Sequence, residues 1–258
     1  MKESLAERAE RIKREKDGLD VLADILRYAR TNDPLDPEDV ERFKWHGIYP
    51  QRQEEDELPK KYMMRIKTVD GSLTVEQLRS LGNISIKYAE NTADFTTRQN
   101  VQIHNVHIQS FPEIFEELAR IGLSSTMACG DVPRSLVSCP LNGVDHTEII
   151  DVTDLLYKVS ELLNGNRKFS NLPRKFKVGI SGCSNYCMGH EIQDLSFIAL
   201  LHPETKEIVF DVAVGGGLGK DWHFAKRLGK HVYAEQILSV VEETLNIFNE
   251  LGKHIDFT

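Results

Sequence analysis

The chain has 258 residues, 40% of them hydrophobic and 28% charged, with a formal net charge of −8. That balance suits one large or two small globular domains with a real core, and argues against non-specific nucleic-acid binding, which needs a basic surface. No apolar run reaches the length of a membrane span, and the charged segment from Met1 to Lys16 lacks the apolar core of a secretory signal, so the expected location is the cytoplasm.

Residues 3–30 read as helix, with an apolar stripe of Leu19, Leu22, Ile25 and Leu26 and a possible break at Gly18. Residues 31–37, rich in proline and aspartate, read as a loop, and the aromatic segment from Trp45 to Arg52 as irregular. A strand is expected over 62–69, where Tyr62, Met64 and Ile66 alternate with polar or flexible neighbours. Thr74 and Gln77 fit a capping box at the head of a helix carrying Leu78 and Leu81. Two strands, 92–98 and 101–108, meet near Gln99-Asn100. Ser110 and Glu113 suggest a second capping box, for a helix with Ile114, Leu118 and Ile121 inward and Gly122 at its end. A short strand near 124–128 completes the order β-α-β-β-α-β, which points to a ferredoxin-like sandwich. Beyond it come a Cys/Gly/Pro-rich loop to Gly143, a helix over 151–163, strands at 176–181, 195–201 and 208–214, and a last helix over 234–250. The expected class is α+β: a ferredoxin-like βαββαβ subdomain, then an α/β subdomain with a mixed sheet. The expected boundaries are an N-terminal extension at 1–58, a first subdomain at 59–128 and a second at 129–258.

Four segments carry chemistry: Thr96 to Asn100, Cys129 to Pro140, Asn171 to Lys177, and Cys183 to Cys187. Lys175 and Lys177 stand two apart on an extended segment and so share a face, with Phe176 and Val178 on the other. Lining a cleft with Arg98 and Arg134, they would hold a compact oxyanion or a polycarboxylate, arginine by bidentate geometry and lysine as a mobile point charge. Taken one at a time, each of these cations reads more readily as an ordinary surface charge, since charged residues are usually exposed. Cys129, Cys139, Cys183 and Cys187 could ligate an iron–sulfur cluster or zinc, yet nine residues separate the first pair and three the second, which matches neither a zinc ribbon nor a common ferredoxin. Buried, unreactive thiols are the alternative. The run Gly215, Gly216, Gly217 lets backbone approach a ligand, but it is no dinucleotide fingerprint, because the third glycine position falls on Lys220.

Read together, TADFTTRQNVQIHNV, ACGDVPRSLVSCPLNG, FSNLPRKFKVGISGC, HEIQDLSFIAL and FDVAVGGGLG, with WHGIYPQR upstream, resemble the first repeat of the siroheme-dependent, ferredoxin-type sulfite and nitrite reductases. The likeness runs over roughly residues 43–250 in one order. It implies a two-fold related pair of halves around siroheme, a 4Fe–4S cluster joined to the siroheme iron, and six-electron reduction of sulfite or nitrite. It implies that Arg98, Arg134, Lys175 and Lys177 bind the oxyanion and the siroheme carboxylates, with Gln99 and Asn100 as nearby polar contacts and the 215–217 glycines against the macrocycle. An electron donor such as ferredoxin is implied as a partner. Its docking patch would be Lys60, Lys61, Arg65 and Lys67, or the helix bearing Arg8, Arg11, Lys13, Arg14 and Lys16. Lys177 occupies a position where sulfite-reducing members tend to carry lysine, and an added cation suits a dianion better than a monoanion.

Two departures follow. The sequence amounts to about half a family member, ending where a second repeat is expected, so a second half is expected in trans or through a homodimer. The family's cluster ligands belong to that second repeat, spaced five and three residues within the pairs; here Cys183 and Cys187 keep the three-residue gap, while Cys129 and Cys139 stand four too far apart. The alternatives to an enzyme half are a non-catalytic module that binds siroheme or a partner chain, and a zinc or redox sensor built on the four thiols.

Overall fold

The computed structural model describes residues 3–31, 33–51, 59–219 and 221–252; Arg52 and Lys220, both named above, lie outside them. The first helix, α1 (Leu5–Glu15), opens with a capping box in which Ser4 and Glu7 exchange side-chain and backbone bonds. A 3-10 turn at Gly18–Val21 separates it from α2 (Leu22–Thr31). The break falls at Gly18 because Trp45 stands over that residue: a Cβ there would lie 2.1 Å from the indole. Asp36 caps a short α3 (Pro37–Arg42) that the proline-rich composition concealed.

The first sheet has the order β1 (Ile48–Gln51), β2 (Lys61–Ile66), β4 (Val101–Val106), β3 (Ala93–Phe95), all antiparallel. On β2, Tyr62, Met64 and Ile66 are fully buried, as their alternation requires. They pack under α4 (Val75–Tyr88), whose Thr74–Gln77 capping box is formed, and α5 (Phe111–Arg120). Two expectations need correcting here. Ser110 makes no capping bond: its backbone is already helical because a 3-10 turn runs straight into α5, and Pro112 occupies the first turn instead. Residues 124–128 give only an isolated bridge, Lys67 to Ser124. Met127 (φ 53°) and Gly130 (φ 90°) turn the chain out of extended geometry, and β1, from the segment expected to be irregular, fills the sheet edge.

The second sheet runs β5 (Val178–Ser181), β6 (Leu195–Leu201), β7 (Ile208–Val214), β8 (Lys226–Val232). It is mixed: β5 and β6 are parallel and the other pairs antiparallel. α6 (Thr153–Leu163) and α7 (Ile237–Leu251) cover it with a core that includes Leu156, Phe169, Phe197, Phe210 and Val241. The lysine-rich edge strand β8 was not anticipated, because almost all of its residues are exposed and it shows no apolar alternation. Residues 132–137 lie alongside β5 through parallel bridges from Pro133 to Phe176 and from Val137 to Gly179. That pairing carries Arg134 next to the segment bearing Lys175 and Lys177. Among the described residues no helix is long and apolar enough to cross a membrane.

Candidate functional site

Arg98 sits at the tip of the β3–β4 hairpin. The turn is held by Gln99 N–H donating to the Thr96 carbonyl (2.9 Å) and Asn100 N–H to Thr96 Oγ1 (3.1 Å). Gln99 takes a left-handed φ of 57°, and its side chain clamps Ser138: Nε2 donates to the Ser138 carbonyl and Oε1 accepts Ser138 N–H, both at 3.1 Å. From this anchored tip Arg98 reaches to the second sheet. Nη1 donates to Gln193 Oε1 (2.9 Å) and Nη2 to the Ser135 carbonyl (2.7 Å), while Nε is buried without a partner. Burial, with the nearby Arg134 charge, lowers the Arg98 pKa to about 10, so it stays a cation at neutral pH.

A cavity of about 920 Å³ opens beside it, lined among others by Arg98, Arg174, Lys175, Lys177, Asp194 and Gly217. That volume falls in the range of small-molecule and cofactor sites. The lysines lead into β5 and face the cavity, while Phe176 and Val178 are buried in the core. Partial burial and the crowding of Arg134, Arg174 and Lys177 hold the Lys175 ammonium below the usual lysine range. Lys177 is engaged on two sides. Its backbone N–H donates to Asp194 Oδ2 (2.8 Å), and its Nζ lies 3.5 Å from the same oxygen and bonds the Ile192 carbonyl. Burial pushes the Asp194 carboxyl above the usual range, against the pull of Lys177 and Arg98.

The other candidate residues divide. Arg134 lies on the far side of Arg174, in a neighbouring cavity of about 180 Å³ with Trp45, Tyr49 and Asp131. It is close enough to Arg98 and Lys175 to lower both their pKa values, and its own Nε is buried and unpartnered. Gln99, expected as a polar contact to a cofactor, is consumed by Ser138, and Asn100 is buried in the hairpin turn. Of the three glycines, Gly217 lines the cavity with open space where a Cβ would be. Gly216 instead packs on backbone, where a Cβ would meet the Glu191 and Gln193 carbonyls at 2.4 and 2.5 Å, and Gly215 is at a left-handed φ of 83°.

The cysteines do not form one set. Cys129 is buried on the Arg134 side, where Arg65 Nη1 donates to its Sγ at 3.2 Å. Cys139, Cys183 and Cys187 are neighbours beyond β5. There burial, together with the two other thiols, raises Cys139 to about 11, and Cys187 alone of the four is exposed. Among the described residues no three His, Cys, Asp or Glu side chains are arranged to hold a metal ion. Cys129, held by Arg65, thus stands apart from the three thiols that neighbour one another beyond β5. The cation wall does fit an anionic macrocycle, through the four cationic side chains Arg98, Arg174, Lys175 and Lys177 on one cavity and the Nε groups of Arg98 and Arg134, which are left without protein partners.

Sequence reading did not single out Arg174, Gln193 or Asp194. The last was legible in principle. Once β5 and β6 are taken as a parallel pair with Val178 opposite Leu195, Lys177 and Asp194 each precede their strand by one residue and become neighbours. Within the two proposed donor patches, several cations are engaged inside the chain. Lys13 is buried against Glu10 and Asp131, Arg11 pairs with Glu3, Glu15 and Glu38, and Lys16 with Asp24 and Asp39. Arg65 is turned inward to Cys129, and Lys61 pairs with Glu90.

Two family models match the chain. The nitrite and sulphite reductase 4Fe-4S domain matches residues 129–256. The nitrite/sulfite reductase ferredoxin-like half domain matches residues 54–121. A ferredoxin sulfite reductase of Mycobacterium tuberculosis is 36% identical over 94% of this chain and 46% of its own length. A ferredoxin–nitrite reductase of Leptolyngbya laminosa is 32% identical over 94% and 48%. The solved structure of the M. tuberculosis NirA protein superposes with a TM-score of 0.90 at 35% identity, covering 96% of this chain and 47% of that one. A dissimilatory sulfite reductase structure, at 12% identity and a TM-score of 0.64, shares the fold. The chain spans about half the length of the curated relatives it matches.

Proposed function

The chain belongs to the nitrite and sulphite reductase family, and on that premise we propose that it is the oxyanion- and siroheme-binding half of an oxidoreductase that reduces sulfite, with nitrite as the second candidate substrate. The observation that carries this reading is the single cavity walled by Arg98, Lys175 and Lys177, with Arg134 within electrostatic reach. Siroheme, when bound, supplies the redox-active iron and the conduit for electrons. This chain's residues bind and orient: Arg98, Arg134 and Arg174 offer guanidinium faces to macrocycle carboxylates, and Lys175 and Lys177 stand at the oxyanion. Reduction removes oxygen as water, which consumes protons and concentrates negative charge. A lysine whose ammonium is held below its usual range, as at Lys175, gives up a proton more readily than a solvated one.

The cluster belongs, on this reading, to the other half of the assembly. The thiols here are not arranged as a ligand set, so no step is assigned to them. The second half is supplied by a further segment, by a separate chain or by self-association, and a ferredoxin-type protein delivers the electrons. The preference for sulfite rests on Lys177, an extra cation facing a dianion. The test is to isolate the chain anaerobically, alone and with a family second half, and to record siroheme absorption and viologen-driven reduction of sulfite and nitrite. Siroheme bands with sulfite turnover in the assembled pair are expected. Absence of siroheme from both preparations overturns the reading.

A further inference from the structure

The cavity is built to receive an anion, yet it contains a half-buried carboxylate. Its acidic lining residues are Asp194 and Asp221; Asp221 is exposed, whereas the Asp194 side chain is 25% exposed and bonded to Lys177, itself 18% exposed. The charged groups that face Asp194 are Lys177 ahead of β5, Arg98 from the β3–β4 hairpin, and Lys175, whose ammonium feels the Asp194 charge. Arg174, also on the cavity, is held by Asp131 at 3.5 Å. In this arrangement Lys177 is a neutralised cation: its Nζ is shared between the Asp194 carboxylate and the Ile192 carbonyl. An oxyanion seated on Lys177 competes with that carboxylate for the ammonium, and the two negative charges then face one another in the same cavity. A like charge so placed favours protonation of the carboxylate.

We propose that Asp194 is a specificity-determining counter-ion, which holds the Lys177 ammonium until an oxyanion takes it over and is then protonated from solvent. One proton passes from water to a carboxylate oxygen of Asp194, Lys177 keeps its own, and the net charge of the wall rises by one as the anion arrives. Anion affinity therefore falls as pH rises, and the exchange favours a dianion, which replaces the lost ion pair more fully than a monoanion does. The inference rests on the reading of this cavity as an oxyanion site. Burial pushes the Asp194 carboxyl in the same direction, above its usual range, against the pull of Lys177 and Arg98.

Sulfate, added to the full chain, is the probe. Calorimetric titration in two buffers of different ionisation enthalpy, from about pH 6 to about pH 8, counts the protons taken up. The wild type is expected to take up between ~0.5 and ~1 proton per sulfate, with affinity weakening several-fold across that range. Asp194→Asn keeps the shape and an acceptor for the Lys177 N–H; it should take up none, show a flat pH profile, and bind roughly tenfold tighter at the upper end. An independent reading on the wild type, free of any folding defect in the variant, is the infrared difference spectrum. Sulfate should bring in the C=O stretch of a protonated carboxylic acid. Saturable sulfate binding without proton uptake and without that band defeats the inference and leaves the functional reading standing. No saturable binding to either protein at any pH defeats both.

Discussion

Replacing Arg98 separates the two roles that its geometry combines. The guanidinium makes two bonds across the boundary between the sheets, to Gln193 Oε1 at 2.9 Å and to the Ser135 carbonyl at 2.7 Å. Hydrogen bonds from a charged donor contribute roughly 1.5–3 kcal/mol each, and a buried acceptor left unpaired adds to the loss. Discounting for the part of the side chain that solvent still reaches, Arg98→Gln should cost about 3 kcal/mol of unfolding free energy, read by urea denaturation followed by circular dichroism. Arg98→Lys keeps the charge but loses the fork, so it should lose about 2 kcal/mol of stability while retaining most of the sulfate affinity that Arg98→Gln gives up. If both variants unfold with the wild type's midpoint and slope, the bridging bonds do not hold the sheets together. If Arg98→Lys loses anion binding as fully as Arg98→Gln, charge is not what Arg98 brings to the cavity.

Cys187 alone among the four thiols is exposed, so a disulfide-exchange reagent should titrate about one fast thiol in the native chain, and Cys187→Ser should abolish that phase; three or four fast thiols would contradict the burial. His46 is buried with Nε2 against the Leu19 carbonyl at 3.1 Å, and burial lowers its pKa. Below about 6.5 the unfolded state then binds more protons than the folded one, so stability should fall with acid from that point, and the slope should diminish in His46→Gln. Gly216→Ala would drive a Cβ to 2.4 Å from the Glu191 carbonyl, displacing the segment that carries Gln193 and Asp194. A loss of about 2 kcal/mol in stability and a weaker anion site are expected, measured by denaturation and sulfate titration, against no change if the loop simply yields.

Most of the fold was legible because its elements obey strong local rules. The limits of β6 and β7 coincide with the apolar runs 195–201 and 208–214, and the Thr74–Gln77 box marks the start of α4. Failures came where tertiary context decides. β8 carries an exposed, lysine-rich sequence whose pairing with β7 leaves no apolar signature. β1 replaces the expected last strand because Met127 and Gly130 adopt left-handed backbone beneath Trp45, which spacing does not reveal. At the site, the two-residue spacing of Lys175 and Lys177 was enough to put both on one cavity. The use of Gln99 to clamp Ser138, the separation of Cys129 from the other thiols, and the pairing of Lys177 with Asp194 all depend on long-range contacts across the two sheets.

The cation wall itself is best tested by titrating siroheme into the anaerobic full chain and into a variant carrying Arg98→Gln, Lys175→Met and Lys177→Met, with circular dichroism confirming that both are folded. Saturable development of the siroheme spectrum in the wild type, weakened by at least about two orders of magnitude in the variant, is the result expected for three lost charge pairs. Equal binding by a folded triple variant would show that these three side chains do not form the anionic ligand's site.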